Sequence, residues 1–543
     1  MALVVLAALP LPRGVSLALF WLGGMTALGA GSFLAAGDRV ATAVVVASAL
    51  LRSALAVALY EVSARALPLF GPLQIGGGFW VFSPDSAYFH EYARGAAVAL
   101  RAGLGLPFVS GSPDYPLLVT LAYRCFGPHP YYVIFSQIWT AGASVLLAFL
   151  LGRALWGAGG GRLVAVLVAF WPSLVLWSTQ LLKDAPMIFL IIAFLFGFHR
   201  FQGARRAAAL GWGAEQALAL FLIFRLRFYV GVALVLAIGL AAAVKVLVGL
   251  ARGARSEAAR SASLVVGLAA AVLLSGLVNP EWLGKPRDRE ESHLRLARYM
   301  LSIGDVDGAY WQLRGAASVH YESNEAINAA ARRALEQLRR QMGGGGDGSA
   351  ASAAPGHSVD ETRPATSTLF PAADGARPAR PETSSTFWDA LGSIFSIRKQ
   401  RSALLEYGGA SNIDADVELR DTLSVVRYLP TALFNAALTP TPFTRFSGAG
   451  ATGALRALST AEAGLIAALL VVVAWGGPRA VRREPALAAC ILAYSLVLAS
   501  ALGLTVPTVG LLVRFRLAFV LPLCLLAGHP ATWWESTRFR SRA

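Results

Sequence analysis

One stretch gathers most of the reactive side chains: Phe82-Ser83-Pro84-Asp85-Ser86-Ala87-Tyr88-Phe89-His90-Glu91-Tyr92-Ala93. It follows a hydrophobic span directly and carries two carboxylates, an imidazole and two tyrosines. A carboxylate at such a place is suited to general-base work, taking the proton of an attacking hydroxyl. Pro84 fits the first turn of a helix, so the stretch reads as a loop turning into a short amphipathic helix. Ser83 and Asp85 are also preferred cap residues, and a capping role is compatible with chemistry at Asp85. If the preceding span crosses a bilayer, Asp85 sits where membrane meets water.

A second set is cationic. Lys183, Arg225, Arg227, Arg514 and Arg516 stand at the ends of apolar runs. Charges there cost a few kcal/mol unless they are solvated, snorkelled or paired. A phosphate at headgroup depth would justify them, because Arg and Lys give charge-assisted hydrogen bonds to its oxygens. The plainer reading is that they snorkel to lipid, or pair with Asp184 and Glu91. Asp184 serves equally to neutralise Lys183. Asp85 with Asp184 or Glu91 would offer hard oxygen ligands to a divalent cation such as magnesium or manganese, although the spacing does not call for a metal. His90 is placed to hydrogen-bond a phosphate or to be a plain surface imidazole. Tyr88 and Tyr92 read as interfacial anchors. The glycines 157, 159, 160 and 161 invite a phosphate-cradle reading, but the P-loop lysine and the dinucleotide pattern are both missing.

The elements that position these groups are membrane helices. The chain of 543 residues is 56% hydrophobic and only 14% charged, and repeated apolar runs near twenty residues predict an all-α polytopic membrane protein. A net charge of +16 would suit a nucleic-acid binder, but many arginines lie in short loops between apolar runs, so the partner is the bilayer and not nucleic acid. Cys125, Cys490 and Cys524 lie in apolar segments without metal or disulfide spacing and read as packing residues. The N-terminus lacks the features of a cleaved signal and is expected to be retained.

About eleven spans are predicted. Residues 1–39 hold one extra N-terminal span, from about Val15 to Ala36. Residues 40–278 form a core with a first external loop over 61–130, in which Ser112-Pro113-Asp114 introduces a second surface helix, Tyr115 to Phe126. The core spans are about Val40–Tyr60, Tyr131–Leu151, Leu163–Trp177, Ala185–Phe198, Ala209–Phe224, Phe228–Leu250 and Ser261–Val278. Residues 279–459 are a polar insert: charged and helical over Pro286–Gln341, a disordered linker over 343–385, then an aromatic portion with Arg427-Tyr428-Leu429-Pro430. Residues 460–543 return to the membrane with spans at about Thr460–Trp475, Ala486–Val506 and a last one ending near Gly528, before a basic tail. The loops with Arg39, Arg153/Arg162, Arg200/Arg205/Arg206, Arg252/Arg255/Arg260 and Arg479/Arg482/Arg483 then share one side with the tail, and the positive-inside rule makes it cytoplasmic. Asp85, the Lys183–Asp184 pair, the arginine pairs and the insert share the other side. The expectation is a multi-pass protein of the inner (plasma) membrane whose site faces the periplasm or outside.

With the motifs placed, the chain resembles the GT-C superfamily of polytopic glycosyltransferases, and within it bacterial members related to protein O-mannosyltransferases and lipid A aminoarabinose transferases. The resemblance rests on Ser83-Pro84-Asp85-Ser86-Ala87-Tyr88 after the second span, Asp114-Tyr115-Pro116-Leu117 before the next, and Phe170-Trp171-Pro172-Ser173 with Ser178 to Pro186. It covers mainly Val40 to Phe228. It implies a GT-C-like bundle with a large periplasmic insert, a polyprenyl-phosphate-linked sugar donor, and Asp85 as catalytic base. Lys183 and the arginine pairs match the donor phosphate by position and chemistry. The chain departs from the family in its extra first span, its single Asp instead of an adjacent acidic pair, and its long insert.

The first functional expectation is therefore transfer of a sugar from a polyprenyl-phosphate donor to a glycan, lipid or protein acceptor. A polysaccharide polymerase or ligase using lipid diphosphate-linked oligosaccharide would use the same arginines. A transporter or flippase for an anionic lipid predicts deep mid-span charges and inverted repeats; Arg52 is one such charge, and no repeat is visible. A scaffold whose insert binds partners would leave the one-sided charges unexplained.

Overall fold

The computed structural model describes residues 12–101, 114–251, 397–408, 412–419, 421–441, 444 and 453–531, together with Leu313, Arg333, Ala334 and Glu336. The expected span Ser261–Val278, the linker 343–385 and almost all of Pro286–Gln341 lie outside them.

The described residues are overwhelmingly helical. The order is α1 (Arg13–Ala36), α2 (Arg39–Ala64), a hairpin of β1 (Gln74–Gly76) and β2 (Phe79–Trp80), α3 (Pro84–Arg101), α4 (Asp114–Phe126), α5 (Pro130–Ala169), α6 (Pro172–Trp177), α7 (Asp184–Gly203), α8 (Arg206–Leu226) and α9 (Phe228–Ala251). After the undescribed stretch come α10 (Ile397–Gly408), α11 (Thr422–Leu438), α12 (Gly453–Arg483), α13 (Pro485–Thr505), α14 (Val509–Phe515) and α15 (Leu517–Cys524). Eight helical segments among the described residues are long and apolar enough to cross a membrane. Leucines at 218, 236, 240 and 496 are more than half exposed, as expected where the solvent is hydrocarbon. The chain is an all-α polytopic membrane protein.

The described parts form two compact units. The first holds the start of α1, the end of α2, the β-hairpin, α3, α4 and the first turn of α5. Phe20 packs edge-on to Phe126 and Tyr132. Ser63 Oγ donates to Phe79 O at 2.7 Å, and Trp80 Nε1 to Leu59 O at 3.1 Å, pinning the hairpin to α2. The expected surface helices are both present, α3 running longer than its local motif suggested.

In the second unit the expected third and fourth spans form one helical run that reverses at Gly157, where φ is 82°. The two arms are antiparallel. A Cβ on Gly161 would lie 2.9 Å from Phe149 O and 2.8 Å from Arg153 N, so only glycine lets the arms approach this closely. The glycine-rich segment is a packing turn, not a phosphate cradle. Its flanks bind neighbouring loops. Arg162 donates to Asp38 Oδ2 through Nε (3.0 Å) and Nη2 (2.9 Å), Arg153 Nη1 to Ala36 O, and Arg483 Nη1 to Leu155 O at 2.9 Å. His199 lies 3.9 Å from Glu484. The loops around Arg39, Arg153/Arg162, Arg200 and Arg483 therefore meet at one end of this unit, as their charge pattern predicted.

Of the three cysteines, Cys490 and Cys524 are buried and pack as expected, but Cys125 is exposed on the last turn of α4. Tyr92 corrects the reading in another way. It is buried with Ala96 against Tyr88 instead of anchoring at an interface.

α11 lies directly on the C-terminal end of α13. A Cβ on Gly503 would stand 2.0 Å from Ala432 O and 2.5 Å from its carbonyl carbon. Backbone cannot swing away as a long side chain can, so Gly503→Ala is expected to cost about 1–3 kcal/mol or more. Gly464→Ala, with open space around its Cβ, is expected to be neutral or stabilising. Melting temperatures of the two variants in detergent test the contact; equal values would contradict it.

Candidate functional site

The first unit carries the motif around Asp85. Trp80 O accepts from both the amide and the hydroxyl of Ser83, at 2.9 and 3.4 Å, which turns the chain sharply into α3. Asp85 falls in the first turn of α3, half-buried; a negative charge there is favoured by the helix dipole. Tyr88 is one turn further on. Burial, and then the Asp85 charge, push its hydroxyl up to about 12, so it stays protonated and able to donate. Burial and Tyr88 also raise the Tyr92 hydroxyl.

His90 and Glu91 are held in the same helix. His90 Nδ1 shares a 2.7 Å hydrogen bond with Tyr123 Oη from α4. Glu91 Oε2 accepts from Arg94 Nε and Nη2 at 3.1 and 2.9 Å. Burial, helped by the charges of Arg94 and His129, drives the His90 imidazole down to about 3. A neutral ring already bonded to Tyr123 tethers α3 to α4, which differs from the surface imidazole or phosphate ligand read from the sequence.

The second unit carries the cations, grouped by tertiary packing. Asp184 opens α7 and is buried. Its Oδ1 accepts from Arg227 Nη2 at 2.5 Å and its Oδ2 from Arg514 Nε at 2.7 Å. Arg227 follows α8, and Arg514 lies on α14. Arg227 Nη1 donates to Tyr229 Oη at 2.9 Å, and its guanidinium lies 4.4 Å from the Phe515 ring centre, a cation–π contact. One carboxylate thus faces two guanidinium groups. Arg227 Nε has no hydrogen-bond partner. Lys183 is half-buried beside Asp184 and adds to the positive field around it. Since α7 rises about 1.5 Å per residue, this cluster lies roughly 24 Å along the helix from the basic end near Arg200.

Arg516 belongs elsewhere. It is wholly buried, pairs with Glu462 Oε2 at 2.5 Å and donates to Thr439 O at 2.9 Å. Glu462 Oε1 accepts from Trp171 Nε1 at 2.5 Å. This neutral lock joins α12, the segment after α11 and the turn before α6. Glu462 escaped the sequence reading, although a lone carboxylate at the head of an apolar span was a signal for it. Arg225 is half-buried on the last turn of α8.

Among the described residues, no group of three or more His, Cys, Asp or Glu side chains is arranged to hold a metal ion. Asp184 gives both oxygens to guanidinium groups and Glu91 gives Oε2 to Arg94, which does not suit the expected carboxylate pair as a cation site. Asp414 instead accepts from Tyr428 Oη (2.8 Å) and Asn435 Nδ2 (2.7 Å), bracing α11 beside an open cavity of about 410 Å³ lined in part by Glu418, Ser424 and Arg427.

No family model matches the chain, and no curated protein matches it. Among solved structures it is similar to ArnT from Cupriavidus metallidurans. The apo form shares 14% identity at a TM-score of 0.29, covering 86% of this chain and 77% of that one. The form bound to undecaprenyl phosphate shares 15% at 0.30, with the same coverage. At these scores the likeness carries no inference about fold or activity.

Two predictions follow from the side chains. Asp184→Asn leaves two buried guanidinium groups without their carboxylate and is expected to destabilise by about 3–5 kcal/mol, read as a large fall in melting temperature; an unchanged value would contradict the cluster. For His90, the unfolded imidazole titrates near 6.5 and the folded one near 3. The unfolded state binds more protons between those values, so this contribution is lost as pH falls from about 6.5 toward 3. The melting-temperature gap between wild type and His90→Phe is expected to narrow from pH ~7 to pH ~5; a constant gap would contradict a neutral folded His90.

Proposed function

We propose that this chain is a membrane glycosyltransferase taking a sugar from a polyprenyl-phosphate donor. The observation that carries the reading is the buried Asp184–Arg227–Arg514 cluster, in which, among the described residues, one carboxylate faces two guanidinium groups and Arg227 has an N–H to spare. Burying two cations on one anion weakens a fold unless a further anion completes the set. A phosphate supplies it, and Arg is the side chain whose planar fork fits phosphate oxygens.

In this reading the acceptor hydroxyl oxygen attacks the anomeric carbon of the sugar. Its proton passes to a carboxylate base, the role that the GT-C resemblance assigns to Asp85. The bond between that carbon and the phosphate oxygen breaks, and its electron pair stays on the phosphate, where Arg227 and Arg514, with Lys183 and Arg225 in support, stabilise the charge. The acceptor is a glycan, a lipid or a protein. The face bearing Asp184 is assigned to the non-cytoplasmic side because arginine-rich loops gather at the opposite end of the same helices. The resemblance of the Asp85 motif to the GT-C superfamily supports the same assignment.

The test is transfer of radiolabel from a panel of polyprenyl-phosphate sugars in proteoliposomes. Wild type is expected to transfer from at least one donor. Asp85→Asn is expected to lose about 100-fold or more while still binding donor, and Arg514→Ala to lose a comparable factor. Full activity in Asp85→Asn would remove it as the base. Absence of transfer from every donor, with acceptor-containing membranes supplied, would overturn the reading.

A further inference from the structure

Arg52 takes no part in the cluster just described. It lies in the middle of α2, about 20 Å of helix from Arg39 and about 18 Å from Ala64, and it is wholly buried. That depth is too great for its head to snorkel to water. Its guanidinium makes two contacts. Nε donates to Ser178 Oγ at 3.1 Å, and Nη1 donates to Ser48 O one turn back at 3.1 Å. Nη2 has no hydrogen-bond partner. Among the described residues no carboxylate pairs with it, in contrast to the buried Arg227, Arg514 and Arg516.

An ion buried in a low-dielectric interior without its counter-charge costs several kcal/mol, and an intramembrane charge of this kind marks a place where something binds. The surroundings are polar. Ser178, Thr179 and Gln180 are all buried in the turn between α6 and α7. Ser178 Oγ donates to Val175 O while accepting from Arg52, which fixes the guanidinium plane.

We propose that Arg52, backed by Ser178, forms an anion site inside the membrane that takes the phosphate of a phosphorylated lipid. The missing counter-charge must be compact and rich in acceptors, and a phosphate monoester presents oxygens to the free edge of the fork. A lipid is the fitting carrier because the site lies among apolar spans. The inference goes beyond sugar transfer and does not require it.

The experiment is equilibrium binding of radiolabelled farnesyl phosphate to the purified full chain, with farnesol and inorganic phosphate as competitors. Wild type is expected to bind one Arg52-dependent equivalent that farnesol does not displace. Arg52→Met is expected to weaken that equivalent about 10-fold or more, the scale of a lost hydrogen bond to a charged group, and to melt no lower than wild type without ligand. Arg514→Ala is expected to retain it. Equal binding by wild type and Arg52→Met would overturn the site, and so would binding lost in Arg514→Ala but kept in Arg52→Met, which would leave the transferase reading standing. Displacement by inorganic phosphate as readily as by unlabelled farnesyl phosphate would support the anion site and overturn lipid as its source. If Arg52→Met does not fold, Arg52→Lys and Ser178→Ala decide: weaker binding in either supports the site, and wild-type affinity in both overturns it.

Discussion

One contact organises the ends of three segments in the second unit: Asp184 accepts from Arg227 and Arg514 at once. Three separate pieces of chain meet there: the start of α7, the turn after α8, and α14. None of these ends could be buried alone. Each charge would face the full desolvation penalty of an ion in apolar surroundings, and the helix ends would carry open polar groups besides. Bringing them together answers both problems and leaves a positive residue of charge at one defined place. The Arg516–Glu462–Trp171 lock does comparable work for α12 and the segment after α11, but there one guanidinium is matched by one carboxylate. The proposed ligand role of the Asp184 cluster rests on that difference in charge.

The opposite end of the same helices has a different physical character. There the arginines reach backbone carbonyls and the half-buried Asp38 carboxylate around the glycine turn of α5. Those contacts are only part-buried, in contrast to the buried ions around Asp184. One end of the unit is thus tied by loops that face solvent, the other by ions buried in protein.

Much of this was legible in the sequence. Apolar runs placed α1, α2, α7, α8 and α13 to within a few residues, because length and hydropathy alone decide what spans a bilayer. Pro84 and Asp114 marked the starts of both surface helices. Charges at the ends of spans singled out Asp184, Arg227 and Arg514, which the structure brings into one buried cluster. The pairing was not legible, since Asp184 and Arg514 are 330 residues apart and composition says nothing of which ends meet. The sequence left Asp184 between neutralising Lys183, pairing with the arginines and a role of its own, whereas packing gave both its oxygens to arginines. Glu462 was hidden for the same reason. The role of His90 was also out of reach, because its partner Tyr123 lies in another helix. The glycines at 157, 159, 160 and 161 already lacked the marks of a phosphate loop in the sequence, and the antiparallel course of α5 reveals what they do instead, which is to let its arms pack closely.

The most direct test of the central claim, that the Asp184 cluster is retained for an anionic ligand and not for stability, is a triple replacement of comparable volume, Asp184→Leu with Arg227→Met and Arg514→Met. Removing a whole buried ionic group for apolar side chains is often neutral or stabilising. Sugar transfer and melting temperature are measured together on the same preparation in proteoliposomes. The account predicts a melting temperature at or above that of wild type with transfer abolished. A variant that folds equally well and still transfers sugar at the wild-type rate would contradict it.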